Sequence, residues 1–196
     1  MTATTGGQPT QRADAHRNRA RIIAAARAHL AAGDATLALN DLAREVGVGV
    51  GTVYRHFPTR RALQEALAVD PLGQLLETIR AAAELDDPGE AFDALIRSGL
   101  TLQLAEVGLA EVLMSVDDAT SDVRDRKAEI WSSAQGLLER AQAAGVVRPG
   151  VTLDDVERLV CGVEYAVRLV PGERSSAAQS YVDVLLAGLR TPVTDD

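Results

Sequence analysis

The sequence predicts an all-α protein of nine or ten helices, and three observations carry that expectation. Apolar residues recur at spacings of three, four and seven, the repeat that places side chains on one face of a helix. Breaks containing Gly or Pro separate these periodic stretches. No stretch alternates apolar and polar residues between hairpin turns, so strands are not expected. The 196 residues suffice for one or two small domains with buried cores. A composition 46% hydrophobic and 24% charged excludes wholesale disorder.

Residues 1–13 mix Thr, Gly, Gln and Pro without an apolar period and read as a flexible tail. Asp14 is placed to cap a helix running to about Ala32, whose apolar face is Ile22, Ile23, Ala26 and Leu30 and which Gly33 ends. Leu39, Leu42, Ala43 and Val46 mark a short second helix stopped at Gly47, a residue suited to the left-handed turn position. Val50, Val53 and Phe57 mark a third, which Pro58 cannot continue. Thr59 caps a fourth through Leu63 and Leu67, closing a head at residues 14–67.

Residues 68–190 form a second, helical segment, and 191–196 a short tail. Its breaks fall at Pro71, 87–89, Gly108, 115–118, 148–150 and 171–172. From about 120 to 144, Val123, Ile130, Trp131, Ala134, Leu137, Leu138 and Ala141 share one side. Thr152-Leu153-Asp154-Asp155 resembles a capping box, opening a helix with Leu153, Val156, Leu159, Val160, Val163, Val167 and Val170. Ser176-Ala177-Ala178-Gln179 reads as a second box, opening the last helix through Tyr181, Val184, Leu185 and Leu189.

A formal charge of −8 argues at first against a nucleic-acid partner. Its distribution reverses the inference: residues 1–67 hold nine Arg and five acids, +4, while residues 68–196 hold 11 bases and 23 acids, −12. The asymmetry points to two modules with different partners, the first anionic; a chance split over a solvated surface is the other reading. Nineteen Arg against one Lys favours rigid guanidinium forks, which grip phosphate in two places at once. No apolar run reaches the roughly 18 residues of a membrane helix, and Met1 to Pro9 lack the apolar core of a secretory leader. Cys161 is the only cysteine and cannot form an internal disulfide. These features predict a cytoplasmic protein without membrane contact.

Residues 39–57 hold two short helices joined by Gly47-Val48-Gly49, the helix-turn-helix arrangement, so the head is expected to be a three-helix DNA-reading domain. The second helix of such a pair fits the major groove, about 12 Å wide. With Val53 and Phe57 turned to the core, Gly51, Thr52, Tyr54, Arg55 and His56 fall on the other sides. Gly51 and Thr52 are small enough for close approach to base edges, while Tyr54, His56 and Arg60 offer donors to phosphate oxygens. Periodicity alone also fits a solvated three-helix bundle. An enzyme is a poor fit, because every histidine lies in the first third and the acidic segment lacks the usual general base and metal ligand. No metal or cofactor is expected. The Gly47-x-Gly49-x-Gly51 run follows a helix and lacks the Lys of a phosphate loop. An interaction protein whose basic end meets an acidic partner is the third class.

The run from Leu42 through Leu63 resembles the signature of TetR-family transcriptional regulators. Gly47, Val48, Gly51, Thr52, Val53, Tyr54, His56, Phe57, Arg60 and Leu63 stand where that signature asks for them. Three positions depart from it. Ala38 replaces the usual Ser or Thr cap of the second helix, with Thr36 as a cap for an earlier start. Gly49 replaces the Ser before the recognition helix, a tolerable change, whereas an Ala cap costs about 1 kcal/mol. Val50 stands where relatives often carry a polar residue and removes one base contact, so specificity leans on Asn40, Thr52, Tyr54 and Arg55. Residues about 100–190 resemble, more loosely, an actinobacterial-type branch of the family.

The resemblance implies a ligand-responsive repressor that binds a palindromic double-stranded DNA operator as a homodimer. It also implies that 68–190 dimerises and holds a small-molecule effector. Reading successive major grooves needs two heads about 34–36 Å apart, which a two-fold dimer supplies. The helices at about 153–170 and 176–189, with Gly162, Ala166, Ala177 and Ala187, are the expected interface; closing the monomer core is their other use. Phe92, Arg97, Gln103, Met114, Trp131, Cys161, Glu164 and Tyr165 are the polar or bulky residues on otherwise apolar helices and are the candidate pocket. Phe92, Met114 and Trp131 are of types more often found in a core than in a pocket, and Cys161 reads first as an inert buried thiol. The excess of acids reads as a solvated surface that keeps this half off the DNA, or as the complement of a cationic ligand.

Overall fold

A computed structural model describes residues 8–34 and 36–192, and among them nine α-helices account for the regular structure. The one strand-like feature among the described residues is an isolated antiparallel bridge between Val147 and Arg190. The chain divides into two units, Met1–Leu67 and Ala68–Asp196. Among the described residues, no helix is long and apolar enough to cross a membrane.

The first unit holds α1 (Gln8–Ala31), α2 (Leu39–Glu45), α3 (Val50–His56) and the first residues of α4 (Arg60–Ala83). Its core gathers Ile22, Ala26, Leu37, Leu42, Val53, Phe57 and Leu63. Two sequence expectations are corrected. Helix α1 starts at Gln8, not Asp14, and takes in residues 8–13 read as tail; Pro9 is no obstacle, because a first-turn N–H has no helical partner to lose. Asp14 pairs instead with Arg17 one turn on. The rest of that tail, 1–7, and residues 193–196 of the C-terminal tail lie outside the described residues. Thr36 does not cap α2 either: its N–H donates to Asp34 Oδ1 at 3.0 Å and its hydroxyl turns to the same oxygen, leaving Ala38 at the cap without a side-chain bond.

The second unit holds the rest of α4, then α5 (Pro88–Ala105), α6 (Leu109–Met114), α7 (Ser121–Ala143), α8 (Leu153–Arg168) and α9 (Arg174–Leu189). Helix α5 is central, packing against α7, α8 and α9, and α8 packs along α9. Phe92 is fully buried at its heart, worth about 2–3 kcal/mol of transfer free energy. Asp87 caps α5, accepting the Glu90 N–H at 2.7 Å ahead of Pro88. The Thr152 box is present: Asp155 N–H reaches Thr152 Oγ1 at 3.2 Å, and Thr152 N–H reaches Asp155 Oδ2 at 3.1 Å.

Two further expectations change, and one residue stands out. Pro71 does not end α4, which runs on through it; the lost backbone bond, about 3 kcal/mol, is offset by a continuous buried stripe of Leu72, Leu75, Leu76 and Ile79. The second capping box does not form, because α9 begins at Arg174 and Ser176 lies inside it. Lys127 interrupts the apolar side of α7 yet is buried, its Nζ donating to the Ser115 carbonyl at 2.5 Å and to Asp118 Oδ1 at 2.8 Å.

Candidate nucleic-acid interface

In the first unit a short α2 and a short α3 meet at a tight turn. Gly47 adopts φ +66°, a left-handed conformation that a side chain would strain, and the Val48 N–H reaches back to the Ala43 carbonyl at 3.0 Å. Helix α3 is held by two completely buried side chains, Val53 within it and Phe57 at its C-cap. The Arg19 guanidinium lies 5.4 Å from the centre of the Phe57 ring, and Arg21 donates to the Val46 carbonyl, so α1 clasps both ends of the motif. His29 adds a third tie, between Asp34 and Glu45.

With the core side spent on these anchors, the predicted contact residues face outward. Val50, Gly51, Tyr54 and Arg55 are exposed on α3, Thr52 and His56 half-buried, Asn40 exposed on α2, and Arg60 exposed at the start of α4. Val50 sits at the first position of α3, beyond the reach of the core, despite its place in the apolar period. The Arg55 Nε folds back on the Gly51 carbonyl at 3.3 Å. A Cβ at Gly51 would meet nothing within 4 Å and its φ is not left-handed, so neither space nor backbone inside the chain requires glycine there. The surface therefore combines a phenol, an imidazole, guanidinium groups and a side-chain-free backbone stretch, the donors and clearance that phosphate and base edges ask for.

The second unit contains a cavity between α4, α5, α6, α7 and α8, lined mainly by aliphatic side chains, with about 40 Å³ of free space. Gln103 and Trp131 line it; the other six predicted pocket residues do not. Phe92 belongs to the core, Met114 and Tyr165 are exposed, and Glu164 pairs with Arg168. Arg97 reaches Asp183 at 2.6 Å and lines a separate surface depression with Thr101, Arg174 and Gln179. The Cys161 thiol sits 3.6 Å from Glu157 Oε1, and burial first, then that neighbouring acid, pushes it up to about 12.

Glu157 lines the cavity and is missing from the sequence-derived set. Gln103 Nε2 donates to its Oε1 at 3.2 Å, and burial raises its carboxyl above the usual range. The signal was available: Glu157 falls four residues after Leu153 and three before Val160, on the buried stripe of α8 rather than its charged face.

Residues 22–67 match the family described as bacterial regulatory proteins, tetR family, and residues 87–191 match the SbtR-like transcriptional regulator C-terminal domain. A TetR transcriptional regulator from Streptomyces coelicolor is 32% identical, with a TM-score of 0.53, over 89% of this chain and 99% of its own. The ketosteroid transcriptional regulator KstR2 of Mycobacterium tuberculosis, 21% identical, shares the fold with a TM-score of 0.62 over 89% of this chain and 95% of its own. RolR, solved with resorcinol, is 18% identical with a TM-score of 0.58 over 91% and 90%. No curated protein matches the chain.

Proposed function

The chain belongs to the TetR family of bacterial transcriptional regulators and is a DNA-binding regulator of transcription, and from that premise we propose that it is a repressor binding a palindromic operator as a dimer and released by a small molecule. The carrying observation is α3 itself, anchored by buried Val53 and Phe57 while Gly51, Tyr54 and Arg55 stand exposed. In this reading Tyr54, His56 and Arg60 hold phosphates and set the register. Thr52, Arg55 and Asn40 read base edges, Gly51 lets the backbone approach, and Val50 offers only an apolar contact.

The dimer is assigned to α8 and α9, where large apolar side chains remain exposed in the single chain: Tyr165 and Leu169 at 65% and Val184 at 70%. A self-complementary patch of this kind suits a two-fold interface. The effector is assigned to the second-unit cavity. A ligand that prefers a state of low operator affinity lowers DNA binding by its own differential affinity for the two states.

The test is a mobility shift of the full chain with DNA from upstream of its own gene, across a salt series. The expected result is a sequence-specific band whose affinity falls steeply with salt. The Tyr54→Ala, His56→Ala double variant should lose that band; unchanged operator affinity in it rejects the assignment.

A further inference from the structure

The cavity of the second unit is apolar on almost every side, with Leu75, Ile79, Leu113, Ile130, Trp131 and Val156 among its walls. Two polar side chains break that lining, Gln103 and Glu157. Gln103 is 2% exposed and held from both ends: its backbone carbonyl accepts from Arg168 Nη2 at 2.9 Å, and its side-chain Nε2 donates to Glu157 Oε1 at 3.2 Å. The Cys161 Sγ points to the same Glu157 oxygen at 3.6 Å. Both contacts fall on Oε1, so Oε2 has no protein partner among the described residues. No Arg or Lys among those residues pairs with this carboxylate, and the guanidinium bound to Gln103, Arg168, is taken by Glu164.

A carboxylate set into an apolar wall without a countercharge carries an uncompensated desolvation cost. An amide and a thiol return only part of the hydration it gives up. A ligand N⁺–H reaching Oε2 would supply a charge-assisted bond, about twice as strong as a neutral one, in a site that an anionic ligand could enter only against repulsion. Free space of about 40 Å³ holds roughly three water molecules, which suits an unbranched chain better than a ring.

We propose that this cavity takes a small organic cation, an alkylammonium with a slender apolar body, anchored by Glu157 and aligned by Gln103. The inference rests on reading the second unit as the effector-binding part. The acceptor is Glu157 Oε2, and the chain of the ligand lies along the aliphatic walls toward Trp131.

Trp131 is the only tryptophan in the sequence and lines the cavity, so its emission reports occupancy locally. The full chain is titrated with ethylamine, three heavy atoms long and protonated at neutral pH like a lysine side chain, and with the matched ethanol and acetate. The expected order is ethylamine tighter than ethanol by about 10-fold, with acetate weakest. Glu157→Gln keeps an acceptor for Gln103 Nε2 and should bring amine and alcohol to within about 2-fold of each other. Equal binding of amine and alcohol, a preference that survives Glu157→Gln, or no binding of any of the three by emission and calorimetry overturns the proposal. Operator affinity measured on the same samples separates the two readings. Ethylamine bound selectively without loss of operator binding upholds the cation site and counts against effector release. Release of DNA by ethanol as readily as by ethylamine, at equal affinity, does the reverse.

Discussion

His29 ties α1 to the end of α2 through Glu45, whose Oε2 lies 2.6 Å from its Nε2, while its Nδ1 stands 2.9 Å from Asp34 Oδ2. The Asp34 bond first, then the Glu45 bond, raises the imidazole above its ordinary value near 6.5. Asp34, bonded by the Thr36 hydroxyl and then by His29, is lowered to about 2.

The consequence is a pH window for the first unit. A raised histidine stabilises the fold fully below about pH 6.5, and the contribution is lost as pH rises through the folded pKa. A lowered Asp34 stabilises above about pH 4 and is lost as pH falls toward 2. His29→Ala should therefore lower Tm more at pH 5.5 than at pH 8.5 in thermal melts. A deficit equal at both pH values would remove His29 from this role.

Gly51→Ala separates fold from function. Alanine in place of an exposed first-turn glycine with open space around it and a compatible backbone should stabilise the chain by about 0.4–1 kcal/mol. The same methyl, placed where base edges must approach, should weaken operator binding about 10-fold or more. Thermal melts and mobility shifts on one preparation check both; improved stability with unchanged DNA affinity would show that α3 does not approach through Gly51.

Lys127 is the only lysine and is buried with Asp118. Lys127→Met removes the countercharge of Asp118 and the bond to the Ser115 carbonyl, and should cost about 3–5 kcal/mol in chemical denaturation followed by Trp131 emission one turn away. A loss below about 1 kcal/mol would mean that the 115–118 loop holds its place without this pair.

The exposed apolar residues of α8 and α9 make the dimer testable. Tyr165→Asp or Val184→Asp puts a charge where burial is expected and should raise the dimer dissociation constant about 30-fold or more, read by sedimentation equilibrium. Both variants should still melt as folded chains, because neither side chain is buried within one protomer. An unchanged dimer constant in both would place the interface elsewhere.

Much of this molecule is legible along the chain. Val53 and Phe57, four residues apart, belong to one buried side, and that alone turns Tyr54 and Arg55 outward. The Thr152 box is equally local, since donor and acceptor lie three residues apart. Misreadings arise where a local rule meets a distant partner. Pro71 reads as a stop because a proline breaks a helix of marginal stability, but the stripe around it is buried against the second-unit core. Lys127 lies on the apolar side of α7, where a bare ammonium would be too costly; Ser115 and Asp118, nine to twelve residues earlier, remove that cost.

The sequence by itself determined the all-helical class, the place of the turn at Gly47 and the outward face of α3. Each depends on periodicity or backbone chemistry within a few residues. Only the tertiary structure decided which side chains meet in the second unit. Gln103 and Glu157 are 54 residues apart, and their contact exists because α5 and α8 pack together. Helical periodicity states that a residue faces inward, but what it meets there is set by long-range packing, which no local spacing encodes.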